Sequence, residues 1–472
     1  MKKFIAALFL IYISTALFAQ RTDLSGLKFC IDPGHGGNNE ANDRHVIPDP
    51  GTNFWESESN FQKALLLKPL LEELGAWVIL TRYTNYYPND EEPSLSARWQ
   101  LANANNVNWF HSIHSNATGS AVNTTVNSTL MLVKEDKVTR KAVFPEAVTM
   151  SNVLGPHFVK NLRTTGTTTY LDYTFYGGTN GGFNLGVLNG LAMPGQLSEG
   201  SFHDNFAETR RLMNNHYRKM EAYAIRNGFM QYFGVPADTF CIIAGIITDM
   251  STTKPVNNLK VTLLPLDSVY TGDAYNNGFY MFDKLKSGSY KIIIEAPNYL
   301  KDSATFTINK GEIRFLDKKL INFIPPIATS NFKTGDTTVS VTSYFDFHFT
   351  KMMDRASVES ALSFIPAVTG SFSWSNSDMS VRFTPTAPLN SKTNYTVKID
   401  TSAKDVGGFS IDGNGDGVGG DPFVINFKTL ISDDERPFVL SSYPMKNSSI
   451  KDFSPAGTIT ITFNKLMDTS SL

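Results

Sequence analysis

Leu27-Lys-Phe-Cys-Ile-Asp-Pro-Gly-His-Gly-Gly37 is the stretch from which the fold of this chain can be predicted. Its first part, 27–31, is short and apolar and stops at a Pro-Gly pair, which indicates a buried β-strand. His35 follows the carboxyl end of that strand, and the neighbouring glycines let the backbone turn and leave the imidazole uncrowded. The position suits a metal ligand and equally suits an ordinary loop histidine, so this stretch alone leaves both open.

Strand patterns alternate with amphipathic helix patterns from residue 20 to 236, which predicts an α/β domain whose central mixed sheet is flanked by helices. Pro69 should kink or break the first helix, and Ser94 should cap the second. The predicted elements are a helix over 59–74, a strand over 76–80, a helix over 94–103, strands over 107–113 and 193–198, and one long helix over 207–233.

Three polar side chains follow predicted strands directly: His35, His114 and Glu199. Open α/β sheets bind their ligands at the carboxyl ends of the strands, so we expect these side chains to converge on one rim. Glu56, just before the first helix, can add a second carboxylate. Two imidazoles and one carboxylate are a donor set that a catalytic zinc ion takes, with the fourth position left for water.

Several short segments carry these residues and follow one another in order. They are Asp32-Pro-Gly-His-Gly-Gly37, Glu56-Ser-Glu-Ser-Asn60, Leu80-Thr-Arg82, Ser96-Ala-Arg98 with Ala102-Asn103, Ser112-Ile-His-Ser-Asn-Ala117 and Pro194-Gly-Gln-Leu-Ser-Glu-Gly-Ser-Phe202. Each segment is a weak signal by itself, but in this order they are specific. Together they resemble the zinc-dependent N-acetylmuramoyl-L-alanine amidase family, with its type 3 catalytic domain, over about residues 27–233.

The resemblance implies that His35, Glu56 and His114 bind one zinc ion and that Glu199 is the catalytic carboxylate. It also implies the reaction, which is hydrolysis of the amide between N-acetylmuramic acid and L-alanine in peptidoglycan. Each residue has an ordinary alternative: His114 as a core histidine, and Glu56 and Glu199 as acids that favour the start of a helix.

The choice of the carboxylate ligand rests on position. Glu58 competes with Glu56, and we prefer Glu56 because its spacing to Asn60 and to Gly75 follows the family. The stretch between His35 and Glu56 is longer than the family's and contains His45, which is an outside alternative as a ligand.

The remaining candidates for chemistry have no matching motif position. Arg82 and Arg98 are interpreted as scaffold ion pairs, with substrate contact as the alternative. The long interval 118–191, with a predicted helix over 140–163, could block the site. The other histidines of this region are interpreted as structural or surface residues: His111, His157, His203 and His216.

Composition and the amino terminus indicate the compartment. The chain has 472 residues and a formal net charge of -2, so it lacks the basic excess expected of a nucleic-acid-binding protein. Lys2 and Lys3 precede an apolar run that ends before Ala19, which predicts a secretory signal peptide over 1–19; an uncleaved anchor is the alternative. We therefore expect a secreted or periplasmic protein of the bacterial cell envelope, with no stable membrane span after cleavage.

Beyond residue 236 the pattern changes to short alternating strands and turns, which predicts all-β sandwich domains. Residues 237–322 resemble the carboxypeptidase regulatory-like domain, and residues 323–430 resemble bacterial Ig-like domains. The segment Phe349-Thr-Lys-Met-Met-Asp354 recurs as Phe463-Asn-Lys-Leu-Met-Asp468, so residues 431–472 are interpreted as the truncated start of a second Ig-like repeat.

A calcium loop is suggested by Asp412-Gly-Asn414-Gly-Asp416-Gly417, whose spaced oxygens suit a hard cation. The twelfth position is Phe423 rather than glutamate, although Asp421 could complete a different calcium site. A glycine-rich hairpin turn with solvated acids is the favoured interpretation.

Two classes of function are compatible with these observations. The favoured one is a secreted amidase that cuts peptidoglycan and whose β-domains space or tether it. The alternative is a non-catalytic peptidoglycan-binding or adhesion protein with an amidase-like domain. Nothing in the sequence identifies protein partners.

Overall fold

The computed structural model describes residues 21–37, 54–86, 92–119, 123–430, 437–444, 457–464 and 466–468. The predicted signal peptide and His45 lie outside these residues. Contacts divide the chain into two units. The first runs to Ile246 and includes Leu264–Lys291 and Thr305–Leu316, and the second consists of Ile247–Leu263, Ile292–Ala304 and the chain from Asp317.

The amino-terminal part of the first unit is a sheet flanked by helices. Its strands are β1 (Lys28–Pro33), β2 (Trp77–Leu80), β3 (Trp109–Asn116), β4 (Thr129–Val133), β5 (Thr167–Leu171) and β6 (Gly195–Phe202). Its helices are α1 (Glu56–Glu72), α2 (Leu95–Ala104), α3 (Pro145–Leu162), α4 (Asp172–Phe175), α5 (Phe206–Leu212) and α6 (Asn215–Tyr232), with a 3₁₀ turn at Gly178–Asn180.

The sheet has the strand order β2-β1-β3-β6-β4-β5. Strands β2, β1, β3 and β6 are parallel, β4 runs antiparallel to β6, and β5 is parallel to β4. The sheet is therefore mixed, as predicted. Because β1, β3 and β6 are adjacent and parallel, their carboxyl ends meet at one edge, where the polar residues of the sequence motifs lie.

Both faces of the sheet are covered, and the side chains of β1 show this directly. Phe29 and Ile31 belong to one core cluster together with residues of α1, α3 and α6. Cys30 points to the opposite face and packs in a second cluster with Ala102 of α2 and Leu188. Successive strand residues alternate between faces, so a short apolar run can fill both cores.

Several element boundaries differ from the predictions. The helix expected over 207–233 is two helices, because the Asn214 side chain accepts hydrogen bonds from the backbone N–H groups of His216 and Tyr217 and so caps a new helix. Pro69 does not break α1, which continues to Glu72. Strands β3 and β6 extend further than predicted and take in His114 and Glu199.

The region after residue 236 is built mainly of strands, which confirms the predicted class of all-β domains after an α/β domain. The next strands are β7 (Cys241–Asp249), β8 (Lys260–Leu264), β9 (Ser268–Thr271), β10 (Phe279–Leu285), β11 (Gly288–Glu295), β12 (Asp302–Ile308), β13 (Ile313–Phe315) and β14 (Lys318–Leu320). They form one sheet of β10, β7, β13 and β14 and another in the order β12-β11-β8-β9.

The second unit contains the Ig-like region and has its own aromatic core around Phe345, Phe364 and Phe427. Its elements are β15 (Ala328–Ser330), β16 (Phe345–Phe349), α7 (Arg355–Ala361), β17 (Leu362–Ile365), β18 (Gly370–Ser375), β19 (Ser380–Pro385), β20 (Asn394–Ile399) and β21 (Phe423–Lys428). They form sheets in the orders β15-β16-β19-β18 and β17-β20-β21. Strands β22 (Val439–Tyr443) and β23 (Thr460–Phe463) pair antiparallel.

Two further findings concern the compartment. Cys30 and Cys241 are free, buried thiols. Among the described residues, none of the helices combines the length and the apolar character needed to cross a membrane.

Helices α3 and α6 approach each other closely at Gly228. A Cβ at this position would lie 2.7 Å from Leu154 Cγ and 3.1 Å from Leu154 Cα. Gly228→Ala should therefore destabilise the protein by about 1–3 kcal/mol through overpacking, although alanine favours an exposed helix by up to about 1 kcal/mol. Chemical denaturation measures the difference.

The double variant with Leu154→Ala provides the control for this prediction. If crowding is the cause, the free-energy cost of the double variant should be clearly smaller than the sum of the two single costs. Additive costs, or a stabilised Gly228→Ala, would contradict the packing explanation.

Candidate metal and catalytic site

The loop after β1 is held by Arg98 of α2, which is buried. Its guanidinium pairs with the Asp32 carboxylate at 2.7 Å and donates hydrogen bonds to the carbonyl oxygens of Pro33 and His35, each at 3.0 Å. Burial alone would raise the pKa of Asp32, but the charge of Arg98 and hydrogen bonds from Ser112 and others hold it below its usual value. The ion pair predicted for Arg98 is thus present.

A second arginine ties the same loop to the start of α1. Arg82 donates to the carbonyl oxygens of Pro33 at 3.1 Å, Gly34 at 3.3 Å and Ser57 at 2.8 Å. His35 has a φ of 58°, which is uncommon for a residue with a side chain. The carbonyl contacts of the two arginines hold this backbone conformation, and the His35 imidazole faces Glu56.

Glu56 is the first residue of α1 and is buried between two imidazoles. Its Oε2 lies 3.3 Å from His35 Nε2, and its Oε1 lies 3.3 Å from His114 Nδ1. Oε1 also accepts a hydrogen bond from the Ser115 backbone N–H at 2.9 Å. Burial would raise the pKa of Glu56, but His35, His203 and His114 together hold it well below its usual value, so the group is a carboxylate.

The structure brings His35, Glu56 and His114 together and places Glu58 elsewhere. One ligand atom from each of the three residues lies within 4.8 Å of the others. Glu58 instead accepts hydrogen bonds from Gln62 at 2.8 Å and Asn85 at 2.9 Å. Two imidazole nitrogens and an ionised carboxylate are a fitting donor set for zinc, and this placement supports Glu56 over Glu58 as a ligand.

Glu199 lies on β6 beside His114 of β3, at the same level of the parallel register. Its Oε2 is buried and has no hydrogen-bond partner among the residues that the structure describes. Burial and the negative charge of Glu56 raise the pKa of Glu199 well above its usual value. Glu199 lines a cavity of about 640 Å³ together with His35, Glu56 and His114. A carboxyl with one unpaired oxygen and raised proton affinity in a cleft suits proton transfer.

His203 is the residue of this site that the sequence interpretation missed. It is 2% exposed, it lines the same cavity, and its Nδ1 lies 2.8 Å from the Ser115 carbonyl oxygen and 3.6 Å from Glu56 Oε2. It is therefore not a surface residue. His203 directly follows β6, which ends at Phe202, and this position after a strand is the local signal that could have pointed to it.

His111 lies in the core beneath the site. Its ring nitrogens contact Gln196 Nε2 at 2.8 Å and Ser198 Oγ at 3.1 Å. Burial lowers the pKa of His111 to about 3, so its imidazole is neutral. The pairing gives Gln196 and Ser198 of β6 a buried polar partner.

The calcium-like loop is in the second unit. Asp412, Asp416 and Asp421 each offer an oxygen within 4.8 Å of the others. Asn414 donates to the Asp416 carboxylate at 3.1 Å, and both oxygens of Asp412 accept backbone N–H groups, from Gly415 and Gly417. The residues are thus close together, and the side-chain oxygens of Asp412, Asn414 and Asp416 already accept hydrogen bonds within the turn.

Comparison with known protein families shows which family the domain with the His35, Glu56 and His114 cluster resembles. Residues 29–231 match the family model described as N-acetylmuramoyl-L-alanine amidase. Residues 29–231 belong to this amidase family. Residues 324–429 match the model of a bacterial Ig-like domain. The resemblances to the amidase family and to bacterial Ig-like domains are confirmed. The resemblance to a carboxypeptidase regulatory-like domain stays a prediction.

Individual relatives align with the amidase domain. N-acetylmuramoyl-L-alanine amidase CwlM of Bacillus licheniformis is 26% identical over 211 residues, which are 44% of this chain and 70% of that protein. The catalytic domain of the amidase CwlV from Bacillus (Paenibacillus) polymyxa var. colistinus is 22% identical, with a TM-score of 0.35, over 44% of this chain and 99% of its own. An N-acetylmuramoyl-L-alanine amidase of Clostridium difficile 630 is 23% identical, with a TM-score of 0.35, over 44% of this chain and 96% of its own.

Gly34 leaves room for the His114 ring in the amidase domain. A Cβ at position 34 would lie 2.2 Å from the His114 Nε2 and Cε1 atoms. Gly34→Ala should displace His114 and weaken zinc binding at least about tenfold, as loss of a supporting contact around a metal ligand commonly does. Competition with a chelator of known affinity measures the change.

Gly166→Ala is the matched control, because nothing lies within 4 Å of a Cβ at Gly166. It should bind zinc like the unmodified protein. Equal zinc affinities for the two variants would show that Gly34 does not serve to accommodate His114.

Proposed function

We propose that the amidase domain hydrolyses the amide between N-acetylmuramic acid and L-alanine of peptidoglycan with one zinc ion. The observation that carries the proposal is the grouping of His35, Glu56 and His114 within 4.8 Å, in one cavity with Glu199, whose Oε2 has no partner among the described residues. The amidase family of the domain supports the choice of substrate.

His35, Glu56 and His114 would hold the metal. A bound zinc ion supplies a Lewis acid that polarises an amide carbonyl and lowers the pKa of a coordinated water to about 7. The Ser115 N–H and the Asn60 side chain orient the Glu56 carboxylate, at 2.9 and 3.2 Å. Arg82 and Arg98 orient His35 through its backbone, so the donors are positioned before any ligand arrives.

Glu199 is the residue that we assign to proton transfer. Its carboxylate takes a proton from the attacking water and passes a proton to the departing amine of alanine. Because burial and Glu56 raise its pKa, Glu199 retains a proton more readily than an exposed glutamate, which suits the second of these steps. A positioned acid–base group of this kind contributes about 10²- to 10⁴-fold to the rate.

The location and the role of the other domains are part of the proposal. Peptidoglycan lies outside the cytoplasm, and the predicted signal peptide over 1–19 would bring the protein to it, as a secreted or periplasmic enzyme of the cell envelope. The β-domains, including the Ig-like domain over 324–429, would space or tether the enzyme.

Substitutions of His35 and Glu199 should separate metal binding from proton transfer. His35→Ala should lose zinc and activity together, because a ligand is removed. Glu199→Ala should keep the zinc and lose about 10²- to 10⁴-fold in rate. Metal analysis of the purified variants and mass spectrometry of products released from cell wall measure both effects.

The same measurements can contradict the assigned roles. Zinc-free Glu199→Ala with fully loaded His35→Ala would reverse the assigned roles. A zinc-loaded protein that binds peptidoglycan and releases no stem peptide would instead support the non-catalytic alternative.

The loop at Asp412 is proposed to be a turn rather than a calcium site. Asp412 already binds two backbone N–H groups, and the bidentate glutamate that completes such loops is replaced by Phe423. Calorimetric titration with calcium should therefore give no heat and no change in melting temperature. A saturable signal that Asp416→Ala removes would establish the site.

A further inference from the structure

Four aromatic side chains form a continuous surface beside the amidase cavity: Tyr170, Phe175, Tyr176 and Phe183. We call this surface the aromatic wall. The rings of Tyr176 and Phe183 are stacked with centroids 4.5 Å apart, and Phe175 contacts Tyr176 and Tyr170 at 5.0 Å each. Tyr170, Phe175 and Phe183 are 39%, 39% and 52% exposed. Large rings in contact with each other and with solvent are a candidate binding surface.

The aromatic wall is continuous with the cavity through Tyr176. Tyr176 lines the cavity that also contains Glu199, His35 and His114. Burial and the neighbouring carboxylates of Glu199 and Asp172 raise the pKa of Tyr176 to about 12, so its hydroxyl remains protonated. Because Tyr176 belongs to both, a substrate whose amide lies at Glu199 can reach the other rings of the wall.

The buried carboxylate of Asp172 holds the segment that carries the wall. It accepts hydrogen bonds from the backbone N–H groups of Glu135, Tyr173 and Leu185, each at 2.8 Å. The Asn184 side chain adds a fourth at 2.9 Å. These bonds fix the segment on both sides of Tyr176 and Phe183.

A second carboxylate supports the same segment. Glu135 is 1% exposed, accepts from the backbone N–H and the hydroxyl of Thr174 at 2.6 and 2.9 Å, and pairs with Arg140 Nε at 2.6 Å. Holding exposed rings in fixed positions adds little to the stability of the fold by itself. A surface ordered before its ligand arrives loses less entropy on binding, which is what a recognition surface requires.

We propose that the aromatic wall binds sugar rings of the glycan chain on the N-acetylmuramic acid side of the scissile amide. The proposal rests on the proposed function, which supplies a saccharide on one side of that bond and a peptide on the other. A pyranose presents a face of C–H groups that packs on the face of an aromatic ring. The peptide begins with alanine, whose methyl group offers far less surface to four rings.

Phe183→Ala is the decisive variant, because Phe183 belongs to the wall and does not line the cavity. Two substrates are compared: long peptidoglycan chains, and a single N-acetylmuramoyl-peptide. The wall predicts that KM for long chains rises about 3- to 10-fold more than KM for the single-sugar substrate. The kcat for long chains should change little, since the contact lies away from the reacting atoms.

Trp77→Ala is the matched control. Trp77 is 45% exposed and starts β2 at the level of Lys28, at the end of the strands opposite the site. It should leave both KM values unchanged. Tyr170→Ala, at the far side of the wall, is the second variant if Phe183→Ala does not fold, and melting temperatures of all variants check the fold.

A binding measurement keeps this proposal separate from the proposed function. Peptide-free glycan oligosaccharides are titrated into Glu199→Ala protein, with or without Phe183→Ala, and calorimetry gives their affinities. The aromatic wall predicts binding that Phe183→Ala weakens about 3- to 10-fold, even where no amidase activity is found in any preparation.

Three outcomes overturn the proposal, and a fourth overturns only the proposed function. Equal KM increases for the two substrates, or glycan binding that Phe183→Ala does not change, would show that the wall does not recognise the saccharide chain. Binding of the free stem peptide, lost in Phe183→Ala while glycan binding persists, would assign the wall to the peptide. Loss of activity with intact glycan binding would overturn the proposed function alone.

Discussion

The buried ion pair between Asp32 and Arg98 is the contact on which the rest of the site depends. Asp32 ends the apolar part of β1, and its carboxylate also accepts from Ser112 of β3 at 2.6 Å and from Thr81 after β2 at 2.5 Å. A single carboxylate thus joins three neighbouring strands at the edge where ligands bind. Arg98 uses its other N–H groups on the carbonyl oxygens of the His35 loop. Removing one partner of a buried pair commonly costs about 3–5 kcal/mol, because the other charge is left without compensation.

The surroundings of two carboxyl groups in one cavity move their pKa values in opposite directions. Glu56 is buried among imidazoles that stabilise its charge, and a charged carboxylate is the better metal ligand. Glu199 is buried with an unpaired oxygen near that same negative charge, which favours its protonated form. Pairs of acids whose pKa values are pushed apart commonly divide binding and proton transfer between them. This division of roles follows from the position of each glutamate, Glu56 at the start of a helix and Glu199 on a strand. The residue type alone would not assign the roles.

The strand-end positions of His35 and His114 could be predicted because they depend on local pattern: apolar runs of strand length and a Pro-Gly stop. The preference for Glu56 over Glu58 came from the family's spacing to Asn60 and Gly75, which the residues alone do not provide. His203 could not be assigned, because its contact with Glu56 depends on where β6 passes β3, and that is a long-range register. The break between α5 and α6 was missed for a different reason. The apolar spacing continues across Asn214, and only the cap formed by its side chain shows that a new helix begins.

The interval 118–191 shows that a sequence pattern can identify the reacting residues of a site without identifying the residues that line the cavity around them. Part of this interval forms β4 and β5 and completes the sheet, and α3 packs beside α6. The remainder, around Tyr176, lines the cavity. The sequence patterns predict no strand or helix for its aromatic residues and so do not place them. Their placement depends on Asp172 and Glu135, whose partners include four backbone N–H groups that any residue type except proline can supply. Recognition surfaces built in this way keep the scaffold constant while the exposed side chains vary, and the reacting groups on β3 and β6 need not move.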